Sequence, residues 1–231
     1  LIGLVGSEMC IRDSFDAVDT LAHELGHAYH GTQTCSHRIL NRDYPMQVAE
    51  TASTFNETHI TCLAIAKATG EEKLALLDNI LMNTTQVICD IYSRFLFEDS
   101  VFNACEDRFL MPEDLKAMML DAQKKAYGDG LDPEYMHPYM WACKGHYYSE
   151  ALSYYNFPYA FGAMLAMGLY SMYLKEGEAF LPKYNKFLHA TTVMSVEDTA
   201  AVVGIDLTSK DFWRESLKSF ADMIDEFVEL A

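Results

Sequence analysis

The sequence predicts a mainly α-helical protein, and three observations carry that prediction. Apolar residues recur at steps of three and four along most of the chain, apolar/polar alternation of the strand type is rare, and Gly, Pro and polar residues gather where the helical patterns stop. No internal repeat or low-complexity tract breaks the pattern. With 231 residues, 50% of them hydrophobic, one compact unit with a sizeable core is the expectation.

Taken in order, a first helix is expected from about Asp16, an acidic residue suited to a helix start, to about Gly31, which tolerates the left-handed conformation that ends helices. A polar, turn-rich segment over 32–44 follows, with His37, Asn41, Arg42 and Asp43. A second helix should begin at Pro45, where the missing N–H costs nothing, and run through Val48, Ala52, Phe55, Ile60 and Leu63 to a break at Thr69 and Gly70. From Glu71 to about Glu106, Leu74, Leu77, Ile80, Leu81, Val87, Ile91, Phe95 and Phe102 mark one long helix or a helix broken once. Met111-Pro112 punctuates, Glu113 to Tyr127 repeats the pattern, and Gly128-Asp129-Gly130 with Pro133 marks a loop. An apolar helix over about 161–174 carries Gly162 and Gly168, which should let neighbouring helices approach closely. Short helices over 180–189 and 195–203 and an amphipathic helix from Asp211 to Leu230 complete the chain.

The charge balance excludes one class of partner. Seventeen Lys and Arg face 34 Asp and Glu, a formal net charge of −17, whereas neutralising phosphates takes clustered basic residues, so no nucleic acid is expected as a partner. Cysteines 10, 35, 62, 89, 105 and 143 form no Cys-x-x-Cys pair and no dense framework, which points to reduced thiols. No apolar run is long enough to span a bilayer, so no membrane partner is expected and the cytoplasm is the simplest location.

Chemistry concentrates in TLAHELGHAYH, from Thr20 to His30. His23 and His27 stand four apart, so on a helix both imidazoles lie on one face and can reach a single Zn²⁺, with Glu24 beside the metal as general base for its water. The bare pentapeptide also arises by chance on amphipathic helices. Downstream, PMQVAETASTFNETHI offers Glu50 as a third ligand, and two histidines with one glutamate leave the fourth zinc position open, the catalytic arrangement. Glu57, seven residues beyond Glu50, can hold a ligand histidine in orientation or sit solvated at the surface. His30 shares the face of His27 only roughly and is expected to pack instead of ligating; His59 has no partner at metal spacing.

HELGHAYH followed by AETASTFNE resembles the oligoendopeptidase F branch of the thimet oligopeptidase family of zinc peptidases, and HYYSEALSYYNFPYAFG, from His146 to Gly162, resembles that family as a third block. The C-terminal GIDLTSKDFWRESLKSFADMIDEF is similar as well, so the resemblance covers nearly all of residues 15–231. It implies one helical zinc-metallopeptidase catalytic domain over 15–231, with one Zn²⁺ on His23, His27 and Glu50. Residues 1–14 do not match the family's lead-in and read like a translated adaptor. Family members are longer and two-lobed, so the chain would be their C-terminal part.

The tyrosine-rich third block reads two ways. Tyrosines can form an aromatic core whose hydroxyls find partners, or a hydroxyl or protonated imidazole can donate to the oxyanion that forms when water attacks a peptide carbonyl. The resemblance implies that His146 and Tyr159 bind substrate and the oxyanion, with Tyr155 the next candidate. The expected activity is hydrolysis of internal bonds in short peptides. Two alternatives stand beside it: a zinc carboxypeptidase on a related helical fold, which would need a group such as Arg42 to capture a terminal carboxylate, and a non-catalytic peptide- or metal-binding remnant.

Overall fold

The computed structural model describes residues 15–231, so residues 1–14, read above as foreign to the family pattern, lie outside the described residues. Among the described residues the regular elements are helical and no strand occurs. They are α1 (Phe15–Thr34), α2 (Met46–Ala49), α3 (Thr51–Lys67), α4 (Gly70–Thr85), α5 (Ile91–Cys105), α6 (Pro112–Tyr127), α7 (Phe157–Glu176), α8 (Leu181–Ala190), α9 (Val196–Ala201) and α10 (Lys210–Leu230). A π-helical turn, Gln86–Asp90, joins α4 to α5 within the 71–106 pattern, for which the sequence allowed either one long helix or one break. The described residues divide into two compact units, 15–81 with 161–231, and 82–160.

In the first unit α1 runs three residues past Gly31. Gly31 is exposed, and a β-carbon there would meet nothing within 4 Å, so its freedom is not called upon. Burial of His30 and Thr34 carries the packed face onward instead, and the Thr34 hydroxyl bonds the Gly31 carbonyl at 3.2 Å. The buried positions Ala22, Gly26, His30 and Thr34 recur every four residues and face α3 and α8. Gly26 sets the distance to α3: a β-carbon there would lie 2.5 Å from the Cα of Ser53 and 2.8 Å from the carbonyl carbon of Ala52. The two backbones therefore touch with no side chain between them.

The helix expected to run unbroken from Pro45 is interrupted at Glu50, which has φ −88° and ψ 0° between α2 and α3. Its carbonyl accepts the N–H of Thr54 and the hydroxyl of Ser53, both at 3.0 Å, so the break costs few hydrogen bonds. Behind this junction the core is aromatic: Phe55 stacks on Tyr184 at 4.5 Å and meets Tyr170 edge-on at 5.7 Å. The middle of α7, residues 165–170, is buried on every side. Both glycines singled out on this helix serve close packing, since a β-carbon on Gly168 would lie 2.5 Å from the Phe212 ring and one on Gly162 3.3 Å from the Cβ of Glu50. A second cluster of Ile65, Leu76 and Leu77 is covered by Met223 and Phe227 of α10.

The second unit has its own core, in which Phe97 of α5 packs with Met119 and Ala122 of α6 under Trp141 and Tyr147. Between α6 and α7 the chain passes through short 3₁₀ turns instead of a long helix. No helix among the described residues is long and apolar enough to cross a membrane.

Candidate active site

In the first unit, α1 and the α2–α3 junction bring together three of the predicted ligands. His23 Nε2 lies 3.3 Å and His27 Nε2 3.4 Å from the same oxygen, Oε2 of Glu50. One potential ligand atom from each residue falls within 4.8 Å of the others. Ligands about 2.0–2.1 Å from a tetrahedral zinc are separated from one another by roughly 3.3–3.4 Å, so both histidine–glutamate separations have the length of a tetrahedron's edge. The donor set and its spacing fit a zinc ion. The three side chains are 29–31% exposed, which keeps one side of the cluster open.

Two contacts fix this geometry. The Ser53 hydroxyl shares its one proton between the carbonyl and Oε2 of Glu50, each 3.0 Å away, and His23 Nδ1 donates to Oε2 of Glu57 at 3.0 Å. Glu57 is therefore a partner of His23 and not a solvated surface acid, and with Nδ1–H held there a neutral His23 would offer Nε2 to a metal. Behind Glu57, Asp19 accepts the hydroxyl of Thr61 at 2.9 Å. Burial first, then the charge of Glu57, pushes the Asp19 carboxyl up to about 6. The cluster attracts positive charge: hydrogen bonds that His23 donates to Glu50 and Glu57 push it up to about 10, and His23 in turn holds Glu50 below the ordinary carboxylate range. Glu24 follows His23 on α1 and is exposed.

His30 is a packing residue, fully buried and stacked on Tyr44 at 4.1 Å. The Thr191 hydroxyl donates to the Leu188 carbonyl, so His30 Nε2–H donates to that hydroxyl at 2.8 Å, and Nδ1 is left as a buried lone pair. Burial accordingly pushes His30 down to about 4. His59 lies edge-on to Tyr170 and Tyr173, away from any ligand role. Arg42 is exposed and spends Nε and Nη2 on the carbonyls of His37 and Cys35.

His146, Tyr155 and Tyr159 belong to the second unit. The hydroxyls of Tyr155 and Tyr159 are 2.9 Å apart, and the His146 ring lies 6.1 Å from that of Tyr155. Tyr159 is exposed and Tyr155 half-buried. Burial, then the positive charges of Arg94 and Lys144, holds His146 below the usual histidine range, so it is a neutral imidazole and not the protonated donor that the sequence left open. Tyr154 has a structural part: its hydroxyl donates to Asp99 at 3.0 Å and its ring lies between Phe95 and Phe102. His137 also holds structure, its Nδ1 accepting the Tyr139 N–H at 3.1 Å.

Sequence reasoning passed over Gly26, Asp19, Arg94 and Asn156. Gly26 had a signal, because a glycine inside a helix costs about 1 kcal/mol against alanine and needs a packing reason. The other three had none, since Asp19 meets Thr61 across 42 positions and Arg94 meets Asn156 across 62.

A family model described as Peptidase family M3 matches residues 14–219. Oligopeptidase PepF of Bacillus subtilis (strain 168) is 31% identical over 214 residues, covering 91% of this chain and 32% of its own length. The chromosomal oligoendopeptidase F of Lactococcus lactis subsp. cremoris is 26% identical over 222 residues, 95% of this chain and 36% of its own length. The chain thus spans about a third of the curated relatives it matches. Among solved structures, a protein from Chlamydophila abortus superposes with a TM-score of 0.84 at 22% identity over 94% of this chain and 36% of its own. Oligoendopeptidase-F from Enterococcus faecium superposes with a TM-score of 0.77 at 22% identity, over 93% of this chain and 39% of its own. These two likenesses establish the fold.

Proposed function

The chain belongs to peptidase family M3, and from that premise we propose that it is a zinc-dependent oligoendopeptidase domain that hydrolyses internal bonds of short peptides. The observation that carries this reading is the convergence of His23 Nε2 and His27 Nε2 on one oxygen of Glu50, at tetrahedral-edge distances. The names of the relatives, an oligopeptidase and an oligoendopeptidase F, support the substrate class.

His23, His27 and Glu50 hold the metal, and Glu57 keeps the His23 ring turned toward it. Zinc held there supplies Lewis acidity, which makes water acidic at neutral pH and polarises a peptide carbonyl. Glu24 takes the proton of the attacking water and hands it to the leaving amine. Tyr159, backed by Tyr155, and His146 donate to the substrate and to the charge that develops on its carbonyl oxygen. The described cysteines are free, which favours a reducing compartment such as the cytoplasm.

Metal content after exhaustive dialysis, followed by mass spectrometry of a digested nonapeptide, tests the reading. One retained zinc per chain and products cut at internal bonds are expected. Release of single C-terminal residues would assign the chain to carboxypeptidase chemistry instead, and a chain that holds no zinc would overturn the metal centre.

A further inference from the structure

We propose that Arg94 and Asn156 are positioning residues that lock His146 as its Nδ1-protonated tautomer, so that Nδ1–H is the one proton His146 presents to a substrate. The role of that proton rests on the function proposed above; the lock itself follows from hydrogen-bond inventory.

A guanidinium only donates. Arg94 Nη1 is 3.2 Å from Oδ1 of Asn156, so the carbonyl end of the amide faces Arg94. Arg94 cannot turn away, because its Nη2 is paired with Asp90 one helical turn before it and both side chains are largely buried. The NH₂ end of Asn156 therefore faces His146, 2.5 Å from Nε2. An amide nitrogen is also only a donor, so Nε2 must be the lone pair and the single proton of the neutral ring sits on Nδ1. A second proton on Nε2 would set two donors against each other. Asn156 is 4% exposed, which leaves little room for water to relieve that clash.

The charged and titratable groups around the ring work in the same direction. Arg94 and Lys144 are positive and disfavour an imidazolium, and Tyr147, whose ring lies 4.1 Å from His146, is a neutral phenol raised by burial. Tyr147 also ties itself to the relay by donating its hydroxyl to the Arg94 carbonyl at 3.1 Å.

The backbone leading to Asn156 is held with equal care. Tyr154 has φ +55°, a left-handed conformation uncommon for residues other than glycine. The buried Glu98 secures it by accepting the Tyr154 N–H at 2.7 Å, and Asp99 accepts its hydroxyl at 3.0 Å. Two adjacent acids of α5 thus pin the turn that delivers Asn156, while Arg94 on the same helix orients its amide.

The test uses the whole chain labelled with ¹⁵N-histidine, with the His146 signals assigned by their loss in His146→Gln. Between pH 6 and 8, long-range ¹H–¹⁵N correlations should give a protonated-type Nδ1 and a lone-pair-type Nε2. A wild-type ring protonated on Nε2 overturns the proposal whatever the variants do. Asn156→Asp keeps the shape but cannot donate, so the proton should move to Nε2 and the titration of His146 should move up. An Asn156→Asp ring unchanged in tautomer and titration also overturns it. With peptide substrate, Asn156→Asp should lower kcat about 10- to 100-fold with little change in KM and shift the acid limb of the pH profile upward. If the wild-type tautomer is as stated but His146→Ala keeps full turnover, the lock stands and the catalytic role given to His146 falls.

Discussion

The phenolic oxygens of Tyr155 and Tyr159 lie 2.9 Å apart, so one hydroxyl donates to the other and a single O–H of the pair remains to donate elsewhere. Tyr159 is the more exposed of the two, and under the proposed function it is the one that gives this proton to the substrate. Tyr159→Phe should lower kcat by about 10²- to 10³-fold, the cost of one oxyanion donor, with a smaller effect on KM. Tyr155→Phe removes only the supporting partner and should cost less. Steady-state kinetics on a fluorogenic peptide separate the two, and an unchanged kcat in zinc-loaded Tyr159→Phe would pass the role to Tyr155.

Glu24→Gln should keep its zinc and lose turnover. The amide preserves shape but cannot accept the proton of the attacking water, a loss of about 10²- to 10⁴-fold. Metal content measured beside activity gives the answer, and near-full turnover would remove Glu24 from the mechanism.

For the metal itself, Glu50→Ala should weaken zinc binding as strongly as His23→Ala, since each removes one of three protein ligands. Glu57→Ala leaves all three in place but frees the His23 ring, and should weaken binding about 10- to 100-fold. Competition with a chromophoric chelator ranks the variants. Equal affinity in Glu57→Ala and the unmutated chain would return Glu57 to the surface role it was also offered by the sequence.

Gly26→Ala gains helix propensity and loses more. Its methyl would intrude on the backbone of α3 at Ala52 and Ser53, so overpacking of about 1–3 kcal/mol is expected. Because the same contact sets the separation of His23 and His27 from Glu50, zinc affinity should fall with stability. A variant with wild-type urea midpoint and wild-type affinity would show that α1 and α3 have room to part.

Buried His30 makes stability depend on pH. Its folded value of about 4 lies below the ordinary 6.5, so the unfolded chain binds the proton more readily. The contribution is complete above 6.5 and is lost as pH falls from there through about 4, a loss on the order of 3 kcal/mol. Urea midpoints of the metal-free chain should therefore fall less steeply over this range in His30→Gln than in the unmutated chain. Parallel slopes would show that His30 does not titrate there.

The sequence by itself determined what depends on near neighbours. The helical class, the stop at Met111-Pro112 and the pairing of His23 with His27 follow from periods of three and four residues, which a helix obeys wherever it is packed. Glu50 could be named beside the two histidines from its residue type and its place in a recognisable block, and the structure places it within 3.4 Å of both. The tertiary structure decided the rest. Gly31 looked like a helix end, but burial of His30 and Thr34 outweighed one residue's propensity and carried α1 to Thr34. The pattern from Pro45 looked continuous, but the chain breaks at Glu50, turning its carboxylate toward two imidazoles of another helix. The partnerships of Glu57 with His23 and of Arg94 with Asn156 span 34 and 62 positions, and no periodicity reaches so far. Such pairs exist because helix packing sets which faces meet and at what distance: in the first unit through the missing side chain of Gly26, in the second through a tyrosine held at positive φ by Glu98.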